Sequence, residues 1–216
     1  MSAFEKAGLA IGTAEERGVH LFRHGEALVV TAPSPHLEAV EHNVSALAAL
    51  YFDSRDAISD WFDGFVSLEE LLAPAFYGYT DSEGFATVNS AARLLESTDE
   101  AAYEAFRASI PEDEWDAGRT PFALGTTVGL FEDDTLVAVA GYNVWDDCIA
   151  HISVVTHPEH RNAGNGRAVV SRATEQALAA GLIPQYRTLD EWPWSVALAQ
   201  NLGFERFATS YLGVVE

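Results

Sequence analysis

Along this chain, apolar positions switch repeatedly between alternation and helical spacing, which predicts a protein of mixed strands and helices. Residues 19–22 and 27–31 flank His24-Gly25-Glu26 and predict a hairpin. Pro35 precedes Leu37, Val40, Val44, Leu47 and Leu50 at helical spacing. Ser67-x-x-Glu70 has the spacing of a capping box for a further short helix that stops near Pro74. Phe76-Tyr77-Gly78-Tyr79 follows as strand or link, and residues 93–95 predict a short strand. Ser97-x-x-Glu100 predicts a capping box opening a helix through Ser109, and Pro111 with Glu112, Asp113 and Glu114 the first turn of another. Residues 127–131 and 136–145 around Asp133-Asp134 predict a hairpin.

The next stretch carries the chemistry. Residues 152–156 are β-branched and apolar, a predicted buried strand that ends at His157-Pro158-Glu159. A turn with Gly164 and Gly166 leads into a helix over 168–180, with Val169, Ala173, Ala177 and Ala180 on its apolar stripe and Gly181 at C′. Strand, glycine turn and helix make an anion cradle: free turn N–H groups and the positive end of the helix dipole converge, and glycine lets a phosphate approach. A P-loop is excluded because the chain's one lysine is Lys6. The dinucleotide fingerprint needs a third glycine where Val169 stands.

Arg161-x-x-Gly164-x-Gly166, set after the His157-Pro158-Glu159 turn, resembles the acetyl-CoA pyrophosphate loop of GNAT-type N-acetyltransferases. Downstream come a strand (183–189), a short helix (195–202), Leu202-Gly203-Phe204 and an aromatic strand (207–215), which resemble the closing segment of the same superfamily. The resemblance covers residues 85–216. It implies an α/β (α+β) fold, a GNAT-like mixed central sheet flanked by helices, in a domain at 85–216 behind a small N-terminal α/β accessory region at 1–84. By the same resemblance, acetyl-CoA is the co-substrate. Val154, Val155 and Thr156 hold the pantetheine and thioester, and Arg161, Asn162, Ala163, Gly164, Asn165, Gly166 and Arg167 hold the pyrophosphate. The implied activity is acyl transfer to a primary amine, on a small molecule or a protein or peptide, by direct attack on the thioester. A homodimer is compatible with it.

The chain departs from the family where the acid is expected. Many members carry a tyrosine on the last short helix; here the matching residue is Ala199. An asparagine often seen before that helix is replaced by Trp192, while Ser195 is kept. Proton-donor candidates are Ser195, which as a plain structural residue is an N-cap, and Tyr186; water is the alternative. His151, Glu112 and Glu114 are base candidates against packing and helix-dipole roles. The missing tyrosine supports a rival reading, a catalytically weak CoA-binding regulatory module.

Composition narrows partners. Thirty-three acids against 12 bases give a formal charge of −21, spread along the chain, which makes nucleic acid a poor partner. Acid-rich, lysine-poor surfaces resemble those of salt-loving organisms, where ionic strength screens self-repulsion. The single cysteine, Cys148, excludes internal disulfides and cysteine zinc sites; it reads as a small core residue and favours a reducing interior. Residues 1–25 hold Glu5, Glu15 and Glu16 without a long apolar run, so neither signal peptide nor membrane span is predicted, and the expected location is cytoplasmic. His157-x-x-His160 has Pro158 between the rings and no evident third ligand, so no metal is expected.

Overall fold

The computed structural model describes residues 9–13, 18–47 and 54–215, and their contacts divide the chain into two units. The first takes residues up to Tyr77, then 188–196 and 206–216. It opens with β1 (Leu9–Thr13), β2 (Gly18–His24) and β3 (Ala27–Ala32). Gly25, at φ 54°, makes the turn between β2 and β3 in the left-handed region where glycine is unstrained. Helices α1 (Ser34–Leu47) and α2 (Arg55–Asp63) precede β4 (Leu68–Tyr79), and the last strand, β10 (Glu205–Val215), returns here. The strand order is β1-β3-β2-β10-β4, with β1 parallel to β3 and β2 antiparallel to both β3 and β10. Leu21, Val30, Val40, Leu47, Ile58, Phe62 and Tyr211 form a core of fully buried side chains.

Two expectations need correction here. Pro35 lies inside α1, in its first turn, where its missing N–H costs nothing. The Ser67-x-x-Glu70 spacing caps no helix: residues 68–79 are strand. Leu71, Ala73 and Ala75 alternate into the core at period two, and a distant segment, β10, lies beside the strand. The helix of this region is α2 instead, where Ser54 Oγ accepts the Ala57 N–H at 3.3 Å and Ile58, Trp61 and Phe62 are buried at i, i+3 and i+4. Leu50 and Lys6 lie outside the described residues.

The second unit takes 78–187 and 197–205. Its elements are β5 (Arg93–Leu94), α3 (Glu100–Ser109), α4 (Glu112–Gly118), β6 (Val128–Glu132), β7 (Thr135–Trp145), β8 (Ile149–Thr156), α5 (Asn165–Ala179) and β9 (Ile183–Leu189), with most of α6 (Pro193–Asn201). The order is β9-β8-β7-β6-β5, antiparallel except for β8 with β9, which α5 joins as a crossover. Both hairpins turn on aspartate pairs at positive φ: Asp133 and Asp134 at 45° and 66°, Asp146 and Asp147 at 50° and 57°. Short polar side chains tolerate that region, so the first turn closes in two residues and the second in three, with Cys148. Helices α3 and α4 bring Tyr103, Phe106 and Trp115 onto Leu136, Val139 and Val155. Helix α5 ends as expected: Gly181, φ 74°, donates to Leu178 O and Leu182 to Ala177 O, both at 3.0 Å.

The capping box at Ser97-x-x-Glu100 is displaced by one residue. Asp99 accepts the Glu96 N–H at 2.8 Å and both guanidinium nitrogens of Arg93, at 2.6 and 2.8 Å. Those bonds, the arginine's first, hold the Asp99 carboxyl down at about 2. A carboxylate this well supplied wins over the Ser97 hydroxyl as the turn's acceptor. Cys148 sits exposed in the β7–β8 turn, so it is no core residue.

Candidate functional site

The site grows out of the junction between β8 and α5. After Thr156, a single 3-10 turn (Pro158–His160) leads to Asn162 at φ 62° and Gly164 at φ 87°. Gly164 is the N-cap, so α5 starts at Asn165, three residues earlier than the apolar stripe suggested. Asn165, Gly166 and Arg167 therefore form the first helical turn, with N–H groups along the axis and no carbonyl behind them inside the helix. Ala168 is the first to find one, the Gly164 oxygen at 3.0 Å. Two left-handed residues ahead of a helix N-terminus turn successive amides toward one point.

The two glycines serve different ends. A Cβ at Gly164 would meet nothing within 4 Å, so this face of the turn is open. A Cβ at Gly166 would lie 3.0 Å from Thr156 Oγ1 and 3.4 Å from Leu198 Cδ1, so this glycine permits close packing of α5 on β8 and α6. The cradle can accept an anion such as a pyrophosphate: its donors are backbone amides and its open side lacks a side chain.

Asn165, which is buried, anchors the turn. Its Nδ2 donates to Glu132 Oε1 at 2.8 Å and to the His160 carbonyl at 3.2 Å, while His160 Nδ1 lies 2.9 Å from Glu132 Oε2. The bond from Asn165 and then that from His160 hold the Glu132 carboxyl below its usual range. Sequence reasoning missed Glu132, because a glutamate at a hairpin end carries no local sign of such a partner. Arg161 is paired with Glu114 of α4, and its Nε donates to the Thr156 carbonyl at 3.3 Å. Its charge is therefore balanced by a carboxylate.

On β8 itself, pairing with β7 runs through Thr156, opposite Ala138. Pairing with β9 is confined to 149–152 and stops at Ile152 opposite Tyr186. From 153 to 156 the strand edge turned away from β7 lies outside that ladder, next to the cradle. The Thr156 carbonyl there is taken by Arg161, and the remaining outward peptide groups can bond an amide-bearing ligand. Val155 is buried against the α3–α4 core, and Val154 and Thr156 point to the Gly166 side.

Two catalytic candidates, His151 and Tyr186, lie on the paired strands β8 and β9. His151 lies opposite Gln185, with Nδ1 2.9 Å from Gln185 Oε1, and its ring stacks on Trp145 at 4.0 Å and 12°. Burial, above all, pushes its pKa below the usual histidine value. Tyr186 is one register further along β9, buried against Phe204 at 5.7 Å between centroids. Ser195 falls in the other unit and is not an N-cap. It sits inside the first turn of α6, its N–H donating to Trp192 O at 2.9 Å. Ala199, at the position where many family members carry a tyrosine, is fully buried. Glu112 is bonded by Arg107 at 2.6 and 2.7 Å. His157 Nδ1 accepts the Glu159 N–H at 3.3 Å, and among the described residues no group of three His, Cys, Asp or Glu forms a metal cluster.

A family model described as "Acetyltransferase (GNAT) family" matches residues 90–204. Among solved structures, a GNAT-family protein from Novosphingobium aromaticivorans aligns at 21% identity and TM-score 0.52, over 70% of this chain and 68% of that one. An acetyltransferase of the GNAT family from Colwellia psychrerythraea aligns at 12% identity and TM-score 0.53, over 75% of this chain and 62% of its own. A GCN5-related N-acetyltransferase from Kribbella flavida aligns at 20% identity and TM-score 0.51, over 67% and 59%. At these identities the likeness establishes the fold. No curated protein sequence matches the chain.

Proposed function

The chain belongs to the acetyltransferase (GNAT) family, and from that premise we propose that it transfers acetyl from acetyl-CoA to a primary amine by direct attack. The observation that carries this reading is the open cradle at Gly164, beside a strand edge that its parallel neighbour leaves unpaired over 153–156. Acetyl-CoA would supply the activated thioester. The amides of Asn162, Ala163, Gly164, Asn165, Gly166 and Arg167 would hold its pyrophosphate, with Arg161 poised beside them. Peptide groups of Val154, Val155 and Thr156 would hold the pantetheine and polarise the carbonyl. Binding both reactants in one place lowers the entropic part of the barrier, and proton transfers complete the reaction.

The acceptor is proposed to be a small-molecule, peptide or protein amine, met in the cytoplasm; no helix among the described residues is long and apolar enough to cross a membrane. A second reading, a CoA-binding module with weak catalysis, is favoured by the buried Ala199 at the position of the family's acid. Turnover of acetyl-CoA with a panel of amines decides between them. In the same assay, Ser195→Ala or Tyr186→Phe is expected to lower kcat about tenfold or more if that hydroxyl protonates the thiolate. Full turnover by both variants across pH assigns that proton to water.

The charge of −21 leads to a separate proposal, adaptation to high salt. The Debye length shrinks from about 10 Å at 0.1 M to about 3 Å at 1 M, so molar salt screens most repulsion between neighbouring surface acids. Unfolding spreads those charges, so screening favours the folded state. The melting temperature is expected to rise steeply from dilute buffer to molar potassium chloride. A flat or falling curve discards the salt-adapted reading and points to an acidic surface used for a cationic partner.

A further inference from the structure

Resting on the acyltransferase reading above, we propose that His151 Nε2 is the general base for the acceptor amine and that Gln185 is the positioning residue that fixes its tautomer. His151 and Gln185 form the last pair but one before the β8–β9 ladder ends. Alternate residues of β8 project to opposite faces. Val154 and Thr156 point to Gly166 of α5, whereas Val155 packs in the core with Trp115 of α4, and Ser153 Oγ accepts the Thr120 hydroxyl at 3.0 Å. His151 shares the face of Ser153 and Val155. It thus lies on the α3–α4 face of the strand, opposite the face turned to α5, and two residues before the 153–156 edge that would hold the thioester.

The tautomer follows from the hydrogen bonds. Gln185 is buried, 3% exposed, and its Nε2 donates to the Tyr79 hydroxyl. Its Oε1, which only accepts, is left facing His151 Nδ1 at 2.9 Å. The ring proton therefore sits on Nδ1, and Nε2 presents a lone pair. Among the described residues Nε2 has no hydrogen-bond partner. Trp145, stacked on the ring, fixes its plane without adding charge. The titratable groups around it are Arg187 on β9, whose charge opposes protonation, and Tyr79 behind Gln185, with Cys148 near that phenol. Burial and Arg187 both favour the neutral imidazole, which is the form a base requires.

In the step itself, the amine nitrogen bonds to the thioester carbon, its N–H proton passes to His151 Nε2, and the C–S bond breaks. The thiolate takes one proton from a donor hydroxyl or water, and His151 returns its proton to solvent. One N–H has been exchanged for one S–H.

Two measurements test the proposal on the full chain. Imidazole 15N shifts of His151 near pH 8 are expected to show the proton on Nδ1 in the wild type and a mixture of tautomers in Gln185→Leu. With the best amine from the panel, His151→Gln is expected to lower kcat about 100-fold and to abolish the acidic limb of the pH profile, with acetyl-CoA affinity unchanged. Gln185→Leu should lower kcat about tenfold at unchanged acetyl-CoA KM, whereas Gln185→Glu, which can only accept from Nδ1, should keep activity and move the acidic limb to higher pH. A wild-type tautomer with the proton on Nε2 overturns the proposal. Unchanged turnover and limb in His151→Gln also overturns it, while leaving acyl transfer standing. No turnover by the wild type with any amine overturns the acyltransferase reading, and the base assignment with it.

Discussion

Replacing Gly164 by aspartate is expected to weaken acetyl-CoA binding about 100-fold. The turn is open at this residue, so a new side chain projects into the space a phosphate would use. A carboxylate about 5 Å from one phosphate charge costs about 3 kcal/mol at an effective dielectric constant of 20. That corresponds to roughly two decades in affinity. Backbone strain is a separate effect, because φ is 87° and any Cβ there is disfavoured. Gly164→Asn separates the two: asparagine has nearly the same size, tolerates the left-handed region well and carries no charge. Calorimetry should show the asparagine variant within a few-fold of wild type, with both variants melting at similar temperatures. Equal affinity for the aspartate and asparagine variants would remove the pyrophosphate from this turn.

The second large effect is on stability. Gly203→Ala is expected to destabilise the protein by about 3 kcal/mol or more, and Gly181→Ala by only about 1. Both glycines have positive φ, 85° and 74°. They differ in what a Cβ meets. At Gly181 there is nothing within 4 Å, so alanine pays only the conformational cost of the helix end. At Gly203 the Cβ would lie 2.0 Å from the Gly84 carbonyl oxygen and 2.8 Å from its carbon. The chain cannot readily step aside, because Ala86 N–H is bonded to Leu202 O at 3.0 Å and Phe204 N–H to Ala199 O at 3.1 Å. For a chain of this length, 3 kcal/mol lowers the melting temperature by about 10 °C. Thermal unfolding of the two variants side by side checks the contrast; equal losses would mean that the approach to Gly84 relaxes at little cost. The glycine of Leu202-Gly203-Phe204 is thus required by a backbone-to-backbone contact.

Several features were legible in the chain because their causes are local. The aspartate pair at 133–134 makes a turn by its own conformational tolerance. The Gly181 helix end is written within six residues, and the glycine cradle within one turn of a helix. Strand β9 was read with the bounds it has, between the Gly181 helix end and Asp190. Signals of this kind involve groups a few bonds apart, so their energies do not depend on where the rest of the chain goes.

Tertiary structure decided the rest wherever a distant partner outweighed a local preference. Residues 68–79 carry a capping-box spacing worth about a kilocalorie, yet strand neighbours and period-two burial of Leu71, Ala73 and Ala75 make them β4. At residue 99 the aspartate, held by an arginine six positions back, closes a capping box that begins at Glu96. Glu132 joined the cradle only when β6 was laid beside the start of α5, and Gln185 reached His151 across 34 residues of chain. The sequence by itself determined the Asp133-Asp134 turn, the Gly181 helix end and the glycine turn between β8 and α5. Which side chains surround that loop and which histidine nitrogen is left bare depended on the tertiary fold, because pairs far apart in the chain meet only after loop-closure entropy has been offset by burial.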